Sequence, residues 1–313
     1  MRFALMIEPQ QGLTYAEQLA VAQHAESAGF EALFRSDHYE SFPGPNDNPT
    51  TDAWAVIAGL ARETQRIHLG TLVSPVTFRL PGNIAKVAAT VHEMSGGRIE
   101  LGLGTGWHDS EHLRHGFPFP PISDRADMLE EQLQIVRGLW TEPDGWSFHG
   151  RHYSIEDALF RTKPVPRPRI LVGGGGTPRS MRIAARWADE FNLSSSTPRL
   201  ARDKFAALSA ACEVAGRDPA SLTRSAMVGV LVGASAGELR EREKTVLAAL
   251  GQDAGSGWLD ERRQRWIYGT PDEARARIGQ YADAGVERMM LQDFVPRDLD
   301  MIDLLGRELV AGM

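Results

Sequence analysis

Residues 169–182 read RILVGGGGTPRSMR, and the order of residue types in them decides the fold. An apolar, strand-like run, Ile170 to Val172, enters four consecutive glycines, and Thr177-Pro178 leaves them as a helix start, with a hydroxyl at the N-cap and proline at the first helical position. A flexible linker would be flanked by more Gly and Ser, so the stretch is a strand-to-helix junction whose backbone something approaches closely. Gly173, Gly174, Gly175 and Gly176 lack Cβ atoms, so their N–H groups can converge on one anion. The helix opened by Thr177 points its positive end at the same place. No Gly-Lys-Ser/Thr follows, which excludes a Walker-type loop. The stretch reads as a phosphate cradle, against the plainer alternative of a tight turn onto a capped helix.

The same strand-then-helix unit repeats in both directions. Upstream, Phe3 to Ile7 precedes a helix opened by the Thr14/Glu17 capping box. Ala32 to Phe34, Ile67 to Val73 and Ile99 to Leu103 each lead through a loop to an amphipathic helix. Downstream, Glu190 to Leu193 precedes Thr197-Pro198, Ala226 to Val232 precedes a charged helix near 237–250, and Thr270-Pro271-Asp272-Glu273 opens the helix before Met289 to Phe294. Eight near-continuous apolar strands alternating with helices predict an α/β fold, a (β/α)8 TIM barrel with insertions. It is expected to span 1–313 as a single domain, with excursions at about 141–168, where WSFHGRHYSIED suggests a hairpin, and 233–268.

Composition bounds the function. The 313 residues are 42% hydrophobic and 24% charged with a net charge of −7, which gives no general attraction for nucleic acid or anionic membranes. No apolar run is long enough to span a bilayer and the first residues lack a signal-peptide pattern, so a cytoplasmic location is expected. The single cysteine, Cys212, lies on an apolar helix face and reads as core filler.

In a barrel of this type chemistry sits at the carboxyl ends of the strands. There, RSDHYE offers Asp37 and His38. The histidine can move a proton near neutral pH and the carboxylate can fix its tautomer, although neighbours on a strand point to opposite faces. LGLGTGW lacks the Rossmann spacing, and Gly102, Gly104 and Gly106 suggest a flat ring lying where a side chain would collide. HDSEHLRH has His108 and His112 four apart, with Glu111 in the wrong place for a zinc protease, so no metal is expected; Glu111 or His112 reads as a polar mouth residue or a general acid.

Taken together, AESAGFEALFRSDH, RIHLGTLVSPVTFRLPGNIAKVAATVHEMSGGRIELGLGTGWHDSEHLRHGFPFPP, RADMLEEQLQIVRGLW and ILVGGGGTPRSMRIAARWADEFNL resemble the bacterial luciferase-like superfamily, closely over about 1–200, and most of all its coenzyme F420-dependent oxidoreductase branch. The resemblance implies that Gly173 to Thr177 hold the phosphate of a flavin or deazaflavin. It implies that Gly104, Thr105, Gly106 and Trp107 border its tail and ring, and that a non-prolyl cis peptide at Leu72-Val73 supports the ring. His38 then stands near the reacting edge, with Asp37 and Glu111 as further catalytic candidates. Where the deazaflavin alcohol and sugar-phosphate dehydrogenases carry a tryptophan and a glutamate, this chain has Phe42 and Trp107; Glu111 replaces the acid only from one helical turn further on.

The expected function is hydride transfer between coenzyme F420 and a small organic substrate. The alternatives are an FMN- and oxygen-dependent monooxygenase and a flavin-binding protein without turnover. A homodimer and a separate flavin or F420 reductase are compatible with this reading. The loops at about 39–50 and 233–268 are expected to set specificity.

Overall fold

The apolar runs pair side by side, all in parallel, in a computed structural model that describes residues 1–44, 47–253 and 255–312. The strands are β1 (Arg2–Ile7), β2 (Ala32–Arg35), β3 (His68–Thr71), β4 (Ile99–Gly104), β5 (Arg169–Gly174), β6 (Glu190–Ser194), β7 (Thr223–Val232) and β8 (Arg288–Asp293). Each pairs with the next, and β8 returns to β1 with Arg2 opposite Arg288 and Ile7 opposite Asp293, so the sheet closes on itself. Closure leaves no free edge and buries both faces of the strands, which is why they are mostly apolar rather than alternating.

Helices α1 (Tyr15–Ser27), α2 (Ala53–Glu63), α3 (Pro81–Met94), α4 (Asp109–His115), α5 (Ile122–Thr141), α6 (Pro178–Trp187), α7 (Pro198–Val214), α8 (Ala236–Ala249), α9 (Trp258–Arg263), α10 (Pro271–Asp283) and α11 (Leu299–Leu305) follow in chain order. The start signals read from sequence are real caps. Thr14 and Thr270 form capping boxes with Glu17 and Glu273, and Thr177 and Thr197 accept from Ser180 N and Leu200 N. The main core lies between sheet and helices and includes Cys212; a smaller one inside the barrel joins Ala4, Met6, Phe34, Leu171 and Met290.

The excursion at 141–168 contains the expected antiparallel hairpin, Trp146–His149 with Ser154–Ala158. The one at 233–268 contains α8, α9 and a short strand, Ile267–Gly269, which pairs with the end of β7. Among the described residues no helix is long and apolar enough to cross a membrane.

β3 is shorter than the apolar run predicted. It stops at Thr71, the chain makes a cis peptide at Leu72–Val73, and pairing resumes as Ser74–Pro75 beside Leu103–Gly104. This bulge explains the glycines of β4. A Cβ on Gly102 would lie 1.9 Å from the Thr71 carbonyl oxygen, and one on Gly104 would lie 2.5 Å from a Val73 methyl. The expectation that Gly104 is small to admit a ring directly is therefore corrected: it is small to admit Val73.

The N-terminal end of the barrel is closed by charge. Arg288, at the start of β8, is fully buried. It donates to Glu100 Oε2 at 2.7 Å, Glu100 Oε1 at 3.2 Å and Glu190 Oε2 at 3.1 Å.

Candidate active site

At the opposite end, β2 runs out at Arg35 and the chain continues through Ser36, Asp37 and His38. Alternation sends the last two apart. His38 Nδ1 lies 3.1 and 3.2 Å from the Glu111 carboxylate oxygens. Glu111, on the first turn of α4, is completely buried, and its Oε2 also accepts from the backbone N–H groups of Tyr39 at 2.9 Å and Glu40 at 3.4 Å. Burial by itself would raise the Glu111 pKa, but the hydrogen bond and charge of His38 and these two amides outweigh it and hold the group below the usual carboxylate value. An ionised carboxylate can only accept, so His38 Nδ1 carries the proton and Nε2 is the nitrogen free to exchange one.

Asp37 has a different part. Its carboxylate accepts from Ser74 Oγ at 2.6 Å and from Arg79, which also bridges to Asp52 at 2.7 Å. It lies outside the three cavities described below, so the expectation that Asp37 joins His38 in chemistry is corrected: it fixes the strand-three bulge beneath the site. His112 is likewise engaged. Its Nδ1 donates to the His108 carbonyl at 2.6 Å, its Nε2 faces Thr77 Oγ1 at 2.6 Å, and burial lowers its pKa.

Three cavities join into one trough. A chamber of about 590 Å³ shares His38, Leu72, Trp107, Ser194 and Met227 with a cleft of about 380 Å³. The cleft runs between the Leu72–Val73 bulge, Gly104, Thr105 and Gly106, and Gly173 to Gly175. It shares Thr105 and those three glycines with a pocket of about 310 Å³ that continues past Thr177, Arg179 and Ser180. His38 therefore stands where the chamber meets the cleft, and the glycine run where the cleft meets the outer pocket.

The glycine run is open at its centre, while Gly176 is buried against Lys204 and Met181. A Cβ on Gly174 or Gly175 would meet no atom within 4 Å, and Gly176 has a φ of +69°, which favours glycine. Among the described residues nothing accepts from the backbone N–H groups of Gly175, Gly176 or Thr177. These amides at the start of a ten-residue helix are a fitting cradle for an anion such as a phosphate. Gly173 is different: its Cβ would lie 2.9 Å from Val73, so its smallness again serves the bulge.

Reading only the junctions after strands two to five missed the other half of the rim. Glu8, after β1, accepts from Gln10 Nε2 at 2.8 Å and Gln292 Nε2 at 2.6 Å and lines the chamber. Asn192, in β6, lines the cleft, and Ser194 and Met227, in β6 and β7, line both cavities. Polar residues at the carboxyl ends of otherwise apolar strands, Glu8 and Gln292 above all, were the available signal.

A model of the family described as luciferase-like monooxygenase matches residues 1–288. An F420-dependent glucose-6-phosphate dehydrogenase of Microbacterium testaceum is 29% identical over 311 residues, covering 92% of this chain and 90% of the relative. Among solved structures, an F420-dependent secondary alcohol dehydrogenase in complex with an F420-acetone adduct superposes with a TM-score of 0.86 at 20% identity, over 100% of this chain and 99% of that one. A monooxygenase from Streptomyces bottropensis superposes with a TM-score of 0.84 at 21% identity, over 100% and 99%. At these identities the superpositions establish the shared fold.

Proposed function

Because the chain belongs to the luciferase-like monooxygenase family, we propose that it is an oxidoreductase that binds coenzyme F420 and moves hydride between the deazaflavin and a small organic substrate. The observation that carries this reading is the continuous trough, with an open anion cradle at one end and the His38–Glu111 pair at the border between cleft and chamber. The F420-dependent relative of comparable length supports the choice of cofactor. When bound, the deazaflavin supplies a hydride donor or acceptor without forming an oxygen adduct.

The chain's own residues divide the work. Gly174 to Thr177 hold the phosphate through backbone N–H groups, and Gly173 leaves room for the bulge. Leu72 and Val73 support the ring from one face, and Gly104, Thr105, Gly106 and Trp107 border it. His38 gives or takes the substrate proton at Nε2, while Glu111 holds Nδ1 and stabilises the imidazolium. This pairing supplies from α4 the carboxylate that Trp107 does not. The whole chain acts as one barrel unit in the cytoplasm, as a homodimer served by a separate reductase.

Equilibrium titration of the purified protein with oxidised F420 and with FMN, followed by fluorescence, tests the reading. Micromolar binding of F420 with FMN at least about tenfold weaker is expected. The reverse order would replace it with the FMN- and oxygen-dependent reaction.

A further inference from the structure

We propose that the chamber selects flat, conjugated substrates, and that Trp266 and Phe294 determine this choice. The inference rests on the preceding reading only in taking the chamber beside His38 as the substrate side of the trough.

Five aromatic residues line the chamber: Phe42 and Trp107 on the side of His38, and Trp258, Trp266 and Phe294 across from them. They come from four separate parts of the chain, the strand-two and strand-four loops, the 233–268 excursion and the end of β8, so their convergence is not the by-product of one amphipathic helix. Trp266 and Phe294 are stacked, with ring centroids 5.2 Å apart and planes 11° from parallel, and Trp258 meets Trp266 edge-on at 5.6 Å. Trp266 is lodged against bare backbone: a Cβ on Gly229 would fall 2.3 Å from its indole. That glycine, between Val228 and Val230 in β7, lets the indole lie flat against the barrel end. Arg262, which lines the chamber together with Glu261 and Arg265, lies over Trp258, 4.0 Å from its ring.

Facing this wall, Trp107 is 66% exposed although it packs edge-on against His38 at 6.0 Å and Phe42 at 5.3 Å. An indole left open to water beside a reacting imidazole gains most when a ligand covers it. Trp266, only 8% exposed, backs Phe294 and fixes its plane, so the rings presented from the two sides are Phe294 and Trp107. They recognise a planar π system by stacking and dispersion, whereas a saturated, puckered ring of equal size makes fewer close contacts with them. A chamber of about 590 Å³ is large enough for such a molecule.

The test compares trans-4-phenyl-3-buten-2-one, a flat conjugated enone, with its saturated counterpart 4-cyclohexyl-2-butanone, by isothermal titration calorimetry on the full chain. Each is titrated into the protein alone and again with saturating oxidised F420. The enone is expected to bind roughly tenfold tighter, near the upper end of what aromatic stacking adds beyond buried area. Phe294→Leu and Trp266→Leu should each cut that preference to less than about threefold. Should Trp266→Leu fail to fold, Phe294→Leu, at a half-buried position, carries the comparison. Equal affinities in both titrations, an undiminished preference in the folded variants, or tighter binding of glucose 6-phosphate than of the enone would each overturn the proposal. Because the first titration contains no cofactor, an enone preference without F420 binding would sink the cofactor reading and leave this one standing.

Discussion

At the N-terminal end of the barrel, Arg288 is buried and surrounded by carboxylates; at the C-terminal end, the backbone N–H groups of Gly175, Gly176 and Thr177 have no acceptor among the described residues. The two ends use polar groups in opposite ways. Below, burial raises Glu190, reinforced by Glu100 and opposed by Arg288; burial would raise Glu100 too, but the guanidinium holds it at about 2. The cation and the acids face one another and the result is a plug, although Arg288 Nε and Glu190 Oε1 make no hydrogen bond among the described residues. Above, Asp37 is paired off with Arg79 beneath the site, whereas the His38–Glu111 pair leaves Nε2 unspent. Charges turned toward one another close the barrel, and polar groups that line a cavity let it bind.

The largest effect is expected at the closed end. Arg288→Met leaves Glu100 and Glu190 without their one buried cation, with only the partly exposed His68 and Arg169 beside them, and should cost about 3–5 kcal/mol of stability in urea unfolding, the usual penalty for breaking a buried pair. A loss below about 1 kcal/mol would mean that the plug is incidental. At the open end the signature should invert. His38→Ala should lower turnover by roughly 10²- to 10⁴-fold with little change in melting temperature or cofactor affinity, as for loss of a positioned acid or base.

Two glycines sharpen the contrast within the open end. Gly175→Val, where a Cβ meets no protein atom, should weaken F420 binding by more than about tenfold while the melting temperature holds. Gly104→Ala, whose new methyl would lie 2.5 Å from Val73, should instead lower the melting temperature. Equal behaviour of the two variants in both assays would show that bulge and cradle are not separate devices.

The smallest effect is in pH dependence. Glu111 is held below its ordinary value of 4.5 in the folded protein, so it adds stability above that pH, and the contribution is lost as pH falls through the lower folded value. Melting temperatures of the wild type and Glu111→Gln across the acid range should converge as pH falls. Parallel curves would mean that the His38 contact does not bind the carboxylate.

Much of the barrel was legible because apolar runs and helix caps are local. Thr177-Pro178 and the capping boxes at Thr14 and Thr270 mark helix starts on their own, and alternation foretold that Asp37 and His38 would part. Residue pattern alone did not show the meeting of His38 with Glu111, which joins residues 73 apart in the chain and depends on how α4 sits over β2; only the family resemblance offered Glu111 in place of the missing acid. The role of the β4 glycines was misread for a related reason. A missing side chain shows that something comes close, but its identity, here Val73, is fixed by a neighbouring strand. Trp266 and Phe294 lay hidden because an aromatic residue near a strand end looks the same whether it faces core or cavity.

Where the cofactor's phosphate goes is decisive, and a crystal structure of the protein soaked or co-crystallised with oxidised F420 would locate it. The expected result is a phosphate oxygen about 3 Å from the backbone nitrogens of Gly175, Gly176 and Thr177, with the ring against Val73 and its reacting edge toward His38 Nε2. A phosphate bound elsewhere on the barrel, with those three amides still unengaged and the cleft beside Val73 empty, would contradict it.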